Sequence, residues 1–405
     1  MDIVRDPLWN NIRLDPLALA LVDTGAMQRL RYVRQLGLAH LVYPGATHTR
    51  FEHALGTYHL ARLTLTLLHE RGDLRGLAPE ESLVVQAAAL VHDIGHYPFA
   101  HALEEIGAPH HEDVGETLIT SGAVARLLSE RVAPDAPARV AALVRGRSDS
   151  PLQGLISGSL DLDKIEYLKR DAHMCGVPYG HIDVDRLLHS LVLVPAAPGR
   201  MNIGITEKGL SALESLLFAK YQMYRNVYWH HAVRSATAMY KRAVGAALGS
   251  GALDVRKLPG LTDEQLLQHL AEVSPTPLVT RLRERRLYKR AFECPAAELP
   301  DDAGEWIASD RDRTAAAERT LAAELGLREE ELLLDYPEKT QMLDLDLPVQ
   351  LRSGSVSRLT SEGLPGVIHL PELSAQLYRS ARWLRIFSAR PVAIRKERVL
   401  ILLAE

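Results

Sequence analysis

Two histidines and two aspartates carry the side chains best suited to hold one metal ion. Leu83–Val91 is an apolar segment, and His92 and Asp93 follow it directly, so an imidazole and a carboxylate emerge together from a buried helix end. His53 begins the preceding amphipathic segment, and Asp163 lies on a later one. Two imidazoles with two carboxylates suit Mn, Fe, Zn, Ni or Mg better than an ion that prefers thiolates. We therefore predict one divalent-metal site from these four residues. The alternative is a core histidine satisfied by its neighbour, the commoner role of an isolated His-Asp pair.

Composition excludes several classes of protein. The chain has 405 residues, 47% apolar and 24% charged, which allows a packed core and excludes a disordered or fibrous protein. No apolar run approaches the roughly 20 residues that cross a bilayer, and the start lacks a signal-peptide pattern, so we expect a cytoplasmic protein without a membrane partner. Cys175 and Cys294 form no CxxC pair, which excludes a disulfide scaffold and a thiolate zinc site. The net charge of −4 gives no broad basic field, so a polyanionic substrate needs a local cluster of Arg and Lys.

The elements that must position these side chains are mostly helices. Apolar residues recur at three- and four-residue spacing from Pro16 onward, which predicts a mainly α-helical protein. Residues 6–14 predict a short N-terminal hairpin around a turn at Asn10-Asn11. Short apolar runs predict strands in a small C-terminal α+β region. These runs are Leu347–Arg352, Gly366–Leu370, Leu384–Phe387, Val392–Ile394 and Val399–Leu403.

Three motifs give the sequence a specific likeness: Thr49–Gly56, His92–His101 and Asp161–Tyr167. Together they resemble the HD-superfamily phosphohydrolases. Within that superfamily they are most similar to the deoxynucleoside triphosphate triphosphohydrolases, including the one that carries an added sterile-alpha-motif domain. The likeness extends in motif order over roughly residues 1–290. Its further segments are Asp6-Pro7, Asp23-Thr24, Gln28–Gly37, Tyr228–His230 and Leu287–Lys289.

The resemblance implies a mainly α fold with three parts. An HD-domain catalytic core occupies residues 1–200, and a helical extension over 201–300 completes the nucleotide pocket. The C-terminal α+β region occupies residues 301–405.

The resemblance also implies that the metal binds at the four residues named above and that His96, His101 and His111 act on the substrate and the leaving group. Glu104 follows His101 by three residues on one helical face, where it can fix the tautomer of the imidazole. We therefore predict His101 as the general acid; a surface histidine with a chance neighbour is the alternative. Ten of the 17 histidines lie between His40 and His111, and those outside the motifs, His48 among them, default to ordinary core or surface roles.

Substrate-binding residues are expected beside the metal. Arg50 precedes His53 by one turn, and Lys164 follows Asp163 on a helical face that it shares with Tyr167 and Asp171. The resemblance implies that these side chains hold phosphate and sugar, that Tyr228 packs on C2′ of the sugar, and that Gln35 and Leu36 contact the 3′-hydroxyl and the base side. Lys220 and Tyr224 precede Tyr228 by eight and four residues and extend this wall.

A regulatory site is also predicted. Asp23, Gln28 and Arg31 match positions where the resembling family binds an activating guanine nucleotide between subunits. The alternative assigns Asp23 to capping the following helix and the arginines to a solvated face. We also expect a homo-oligomer, because symmetric association is common for chains of this size.

The predicted activity is metal-dependent hydrolysis of deoxynucleoside triphosphates to deoxynucleoside and triphosphate. One alternative is another HD-type phosphohydrolase that acts on nucleoside mono- or diphosphates or on an alarmone. A second alternative is a non-catalytic nucleotide sensor that retains the metal site.

Overall fold

The computed structural model describes residues 2–197, 199–273, 276–338, 345–360, 363–364 and 370–404. Helices dominate this part of the chain. They are α1 (Pro16–Val22), α2 (Gly25–Arg29), α3 (Arg50–Arg71), α4 (Glu81–Val91), α5 (His111–Thr120), α6 (Gly122–Arg131), α7 (Ala136–Val144), α8 (Leu162–Cys175), α9 (Val184–Ser190), α10 (Leu210–Met223), α11 (His231–Gly249), α12 (Asp263–Val273), α13 (Pro277–Arg283), α14 (Trp306–Ser309), α15 (Arg311–Glu324), α16 (Leu370–Ala381) and α17 (Lys396–Ala404).

The strands are short and form three small sheets. They are β1 (Asp2–Asp6), β2 (Asn10–Leu14), β3 (Leu191–Ala197), β4 (Arg200–Thr206), β5 (Lys289–Pro295), β6 (Leu332–Asp335), β7 (Leu347–Gln350), β8 (Val356–Leu359) and β9 (Trp383–Ser388). The sheet orders are β1-β2, β3-β4-β7-β8 and β5-β9-β6. Among the strands of the described residues, only β4 and β7 pair in parallel, and the other pairs are antiparallel.

The predicted N-terminal hairpin is confirmed, but its turn lies elsewhere. The carboxylate of Asp6 accepts hydrogen bonds from the backbone N–H groups of Leu8 and Trp9, both at 2.8 Å, and so closes the turn. Asn10 and Asn11 lie in strand β2 instead, and Asn10 pairs with Asp6. The chain therefore turns before the Asn-Asn pair because the Asp6 side chain supplies the acceptor.

The largest core is built around α3, α4 and α8. Helix α4 is buried over most of its length, from Val84 to Val91, and packs against the apolar side of α3. Residues of α8 such as Ile165 and Leu168 close the same core. A second core joins α11, α12 and α13, and a third joins α15 and α17 to β6 and β9. The helical fold class is thus confirmed. Within the described part of the chain, no helix has both the length and the apolar character needed to cross a bilayer.

The strands predicted for the C-terminal α+β region are partly confirmed and partly wrong. Strands β7 and β9 lie where they were expected, but Val399–Leu403 belongs to helix α17. Val399, Leu402 and Leu403 are buried there while Ile401 is 54% exposed, a helical spacing that a five-residue apolar run does not reveal. Residues 392–394 form no strand, and the strand expected at 366–370 falls mostly outside the described residues. Strand β4 crosses the domain boundary expected after residue 200.

Helix α5 packs directly on the backbone of Gly95. A Cβ atom at this position would meet the carbonyl oxygen of His111 and the backbone nitrogen of Gly115. Both obstacles are main-chain atoms, which cannot rotate away as a side chain can. Gly95 is therefore required for the close approach of the two segments.

We expect Gly95→Ala to lower the free energy of unfolding by about 2–3 kcal/mol, because the added methyl overpacks against backbone. Gly249→Ala is the matched control, since a Cβ there meets nothing within 4 Å. It should leave stability unchanged or raise it slightly. Denaturant unfolding of both variants measures the difference, and equal stabilities would contradict this packing.

Candidate metal centre and nucleotide pocket

Three helix ends bring the predicted metal ligands together. The carboxylate of Glu52 accepts from the hydroxyl of Thr49 at 2.9 Å, which fixes the start of α3 and places His53 in its first turn. His92 ends α4. Asp161 caps α8 by accepting a hydrogen bond from the backbone N–H of Lys164 at 2.9 Å. Asp163 lies in the same first turn of α8.

The four predicted ligands form one cluster. Ligand atoms of His53, His92 and Asp93 lie within 4.8 Å of one another. The Asp163 carboxylate lies 2.9 Å from Nε2 of His53 and 3.5 Å from Nε2 of His92. His53 is fully buried, whereas Asp163 is about one-third exposed (32%) and opens the cluster towards solvent.

The hydrogen bonds of the two imidazoles fit a cation between them. Nδ1 of His92 donates to the carbonyl of Ala89 at 2.9 Å, and Nδ1 of His53 donates to Glu166 at 2.6 Å. Their Nε2 atoms lie 3.1 Å apart, so two bare lone pairs would repel. Burial would lower the pKa of His53, but its hydrogen bonds with Asp163 and Glu166 outweigh burial and raise it to about 10. Either one proton or one divalent ion between the two Nε2 atoms removes this repulsion. The imidazole and carboxylate ligand atoms suit a divalent ion.

A chain of buried charges orients His53. Glu166 accepts from His53 and from Nε of Arg170 (2.7 Å), and Trp9 donates its indole N–H to the same carboxylate at 2.8 Å. Arg170 continues to Asp6 in the N-terminal hairpin at 3.0 Å. The side chain of Arg170 is only 1% exposed, so it belongs to the core. Glu166 was missed, although it lies one helical turn after a predicted ligand.

Beside the metal cluster, three histidines surround Glu104. His101 and His111 both place Nδ1 on its carboxylate, at 3.0 and 2.6 Å. Both hydrogen bonds lower the pKa of Glu104 against the effect of burial. His96 stacks on His111 with ring centroids 3.6 Å apart, and its Nε2 lies 3.2 Å from Asp93. All four predicted catalytic side chains are thus together, and Glu104 orients two imidazoles rather than one.

The loop that carries these histidines has a strained backbone. Phe99 and Ala100 have φ of 61° and 62°, values that non-glycine residues seldom adopt. The backbone N–H of Phe99 donates to Asp263 at 3.0 Å, and Arg29 donates to the carbonyl of His96 at 2.7 Å. The buried Asp263 and the half-buried Arg29, both from outside the loop, therefore hold it in place.

The predicted phosphate cations are engaged in internal pairs. Arg50 is buried and its NH1 lies 2.5 Å from Asp93. Lys164 pairs with Asp161 and donates to the carbonyl of Gly158 at 2.9 Å. Burial would lower the pKa of Lys164, but Asp161 outweighs burial and raises it. Both cations lie beside metal ligands, with their charge balanced by protein carboxylates.

Three tyrosines form a wall next to the metal cluster. The ring of Tyr167 lies 6.5 Å from that of His53, and Tyr224 meets Tyr228 edge-to-face at 5.1 Å. The Tyr228 hydroxyl donates to Asp171 at 2.7 Å. Burial raises the pKa of all three phenols, so they stay protonated. Lys220 lies on α10, one turn before Tyr224.

This wall occupies an irregular segment that the sequence did not predict. After α10 the chain widens into a π-helical turn over Tyr224–Tyr228, and this turn ends before α11 begins. Single π turns of this kind are frequent at functional sites. The turn keeps Tyr224 and Tyr228 in contact.

His48 forms hydrogen bonds with two of the residues predicted to contact the sugar. The backbone N–H of Gln35 donates to the His48 carbonyl at 3.0 Å, and Nε2 of His48 lies 2.8 Å from Asp171. Leu36 is half-buried beside them. The side-chain oxygen of Gln35 is buried and has no hydrogen-bond partner among the described residues.

The residues predicted to bind an activator lie near α2. Gln28 donates to the carbonyl of Val22 at 2.8 Å and accepts from Arg31 at 2.8 Å. Asp23 does not cap the helix that follows it, because Thr24 is the N-cap of α2, whereas Asp23 is the C-cap of α1. Activation by a guanine nucleotide and homo-oligomerisation stay predictions.

Two family models match this chain. The HD domain matches residues 50–168, which contain all four predicted metal ligands and the histidine cluster. The HD associated region matches residues 182–363. The chain belongs to the HD-domain family. The family expected from the motifs is thereby confirmed.

Similar proteins agree with this assignment. The chain is 37% identical over 290 residues to the uncharacterized protein MJ1154 of Methanocaldococcus jannaschii, a match that covers 71% of this chain and 59% of that protein. It is 27% identical over 367 residues to the deoxynucleoside triphosphate triphosphohydrolase SAMHD1 of Gallus gallus, covering 76% of this chain and 59% of that one. The HD-domain chain thus spans somewhat over half the length of these relatives.

Solved structures share the whole fold. A phosphohydrolase from Bacteroides thetaiotaomicron superposes with a TM-score of 0.75 at 23% identity, covering 96% of this chain and all of the other. A hypothetical protein from Aquifex aeolicus gives a TM-score of 0.73 at 26% identity, with 99% of each chain covered.

Substitution of a predicted metal ligand should lower metal binding, whereas substitution of His101 in the histidine cluster should not. We expect His92→Ala and Asp93→Ala to lower bound Mn²⁺ at least tenfold, because each deletes a donor atom. His101→Ala should retain the metal, since this side chain belongs to the neighbouring cluster. Metal content after dialysis against Mn²⁺ measures all three variants. A metal-free His101→Ala protein would move His101 into the coordination shell.

Proposed function

We propose that this HD-domain protein hydrolyses deoxynucleoside triphosphates at the α-phosphate and releases deoxynucleoside and triphosphate. The oxygen of water bonds to the α-phosphorus, the bond between phosphorus and the 5′-oxygen breaks, and the 5′-oxygen gains a proton. When bound by His53, His92, Asp93 and Asp163, a divalent ion supplies the Lewis acidity that makes water nucleophilic near neutral pH.

His101 is the proposed proton donor to the leaving 5′-oxygen. Its side chain is 59% exposed, while Nδ1 is held by Glu104, so Nε2 is the nitrogen left to face a substrate. The carboxylate stabilises the imidazolium before the proton is transferred. His111 shares Glu104 and, with His96 stacked on it, lines the phosphate side of the site.

Arg50 and Lys164 are proposed to neutralise the phosphates. Each is held by a carboxylate next to the metal cluster, so its position is fixed before the substrate arrives. Nε of Arg50 is buried and has no hydrogen-bond partner among the described residues, which leaves a donor for a phosphoryl oxygen.

The observation that carries the choice of substrate is the aromatic wall against the metal cluster. Tyr167 contacts the His53 side of the site, and Tyr228 is anchored to Asp171. A phosphomonoester site needs no such wall, whereas a nucleoside needs a surface for its sugar. The unpartnered side-chain oxygen of Gln35 offers an acceptor for a 3′-hydroxyl. Similarity to proteins named deoxynucleoside triphosphate triphosphohydrolases supports this choice.

Product analysis tests the proposed reaction. Incubation with Mn²⁺ or Mg²⁺ and each dNTP should yield deoxynucleoside and triphosphate in equal amounts, separated by ion-exchange chromatography. Phosphate or pyrophosphate as product would instead indicate another HD-type phosphohydrolase. Nucleotide binding without turnover would indicate a sensor.

Sugar discrimination provides a second test. A ring against C2′ leaves a 2′-hydroxyl buried without a partner, which costs about 1–3 kcal/mol, so ribonucleotides should react roughly 5- to 150-fold more slowly. Tyr228→Ala should remove most of this preference. Phe218→Ala is the control, because Phe218 is an exposed aromatic residue (51%) on α10 outside the pocket. Equal kcat/KM for GTP and dGTP in the unmutated protein would contradict the proposed contact.

A further inference from the structure

His48 lies behind the proposed sugar site and matches none of the sequence motifs. Its side chain is fully buried, and Nε2 lies 2.8 Å from Oδ1 of Asp171. The other carboxylate oxygen, Oδ2, accepts the hydroxyl of Tyr228 at 2.7 Å. Asp171 therefore connects a buried imidazole to the tyrosine of the sugar wall.

Two side chains bind the carboxylate of Asp171, those of His48 and Tyr228. Its side chain is 1% exposed, and His48 is its only ion-pair partner among the described residues. An ionised carboxylate only accepts hydrogen bonds, so both His48 and Tyr228 must donate to it. Loss of the imidazole would leave a buried carboxylate held by one hydroxyl.

The backbone of His48 supports the other side of the proposed sugar site. Its carbonyl accepts from the N–H of Gln35 at 3.0 Å, and the next residue, Thr49, forms an isolated antiparallel bridge with Arg34. Gln35 and Asp171 are separated by 136 residues in the sequence, yet both are tied to His48. One residue thus fixes the distance between two of the side chains proposed to contact the sugar.

We propose that His48 is a positioning residue that sets deoxyribose selectivity by holding Asp171, and through it the Tyr228 ring, at a fixed distance from Gln35. The inference rests on the proposed function, since it concerns the sugar of that substrate. A core role alone would require only that the space be filled and Asp171 be paired. A positioning role requires a donor at the place of Nε2.

Two amides of different length distinguish these roles. In His48→Gln the amide nitrogen falls near the position of Nε2 and can donate to Asp171. In His48→Asn it falls near Nδ1 and cannot reach. Both variants are polar, smaller than histidine and tolerant of burial, so they form a matched pair. His48→Ala removes every donor, and His189→Ala is the surface control, because the His189 side chain on α9 is exposed.

The experiment measures kcat/KM for dATP and ATP with Mn²⁺ in the full chain, together with thermal unfolding and metal content. We expect His48→Gln to keep the dATP/ATP ratio within about threefold of the unmutated protein, and His48→Asn and His48→Ala to lower it about tenfold, with metal content unchanged. His189→Ala should keep both rates.

The outcomes separate two failures. An unmutated protein that does not hydrolyse dATP removes the proposed function. An active unmutated protein whose ratio survives in His48→Asn, or whose Gln and Asn variants behave alike, overturns the positioning role, whatever the change in unfolding temperature. If His48→Ala does not fold, the Gln and Asn pair decides.

Discussion

The hydrogen bond between His53 and Glu166 is the interaction on which the predicted metal centre depends. It sets the tautomer of a fully buried imidazole and directs Nε2 towards His92 and Asp163. Glu166 is itself buried, so its charge must be balanced, and Arg170 supplies the balance. Breaking any member would leave an uncompensated charge in the core. The geometry of the centre is therefore set by residues that need not contact the metal.

The same principle appears throughout the site. Glu104 orients two histidines, His101 and His111. Asp263 and Arg29 hold the strained loop that follows α4. Asp171 holds Tyr228. Glu104 receives its hydrogen bonds from residues nearby in sequence, whereas Asp263, Arg29 and Asp171 bind segments distant in sequence. Helix ends bring the predicted metal ligands together, while Tyr167 and Asp171 approach from within α8. The absence of a side chain at Gly95 permits the close approach of α5.

Much of this arrangement could be predicted from sequence. The apolar run of α4 followed by His92 and Asp93 indicated a buried helix end with ligands, and the spacing of His101 and Glu104 indicated a hydrogen bond between them. Pairings across the fold could not be predicted. No local pattern shows that Arg50 pairs with Asp93, that Arg170 is buried, or that His48 reaches Asp171. One short apolar run also failed as a strand signal, because Val399–Leu403 is equally compatible with α17.

The ion pair between Asp6 and Arg170 has a consequence for folding. It joins residues 164 positions apart, so β1 lacks this ion pair until α8 has been synthesised. During translation, the HD motif around His92 emerges long before Arg170, which balances the charge of Glu166 beside His53. Three of the four predicted metal ligands, His53, His92 and Asp93, are therefore synthesised before α8 supplies Asp163. Closure of the N-terminal hairpin onto α8 is then the late, non-local step that completes the pocket.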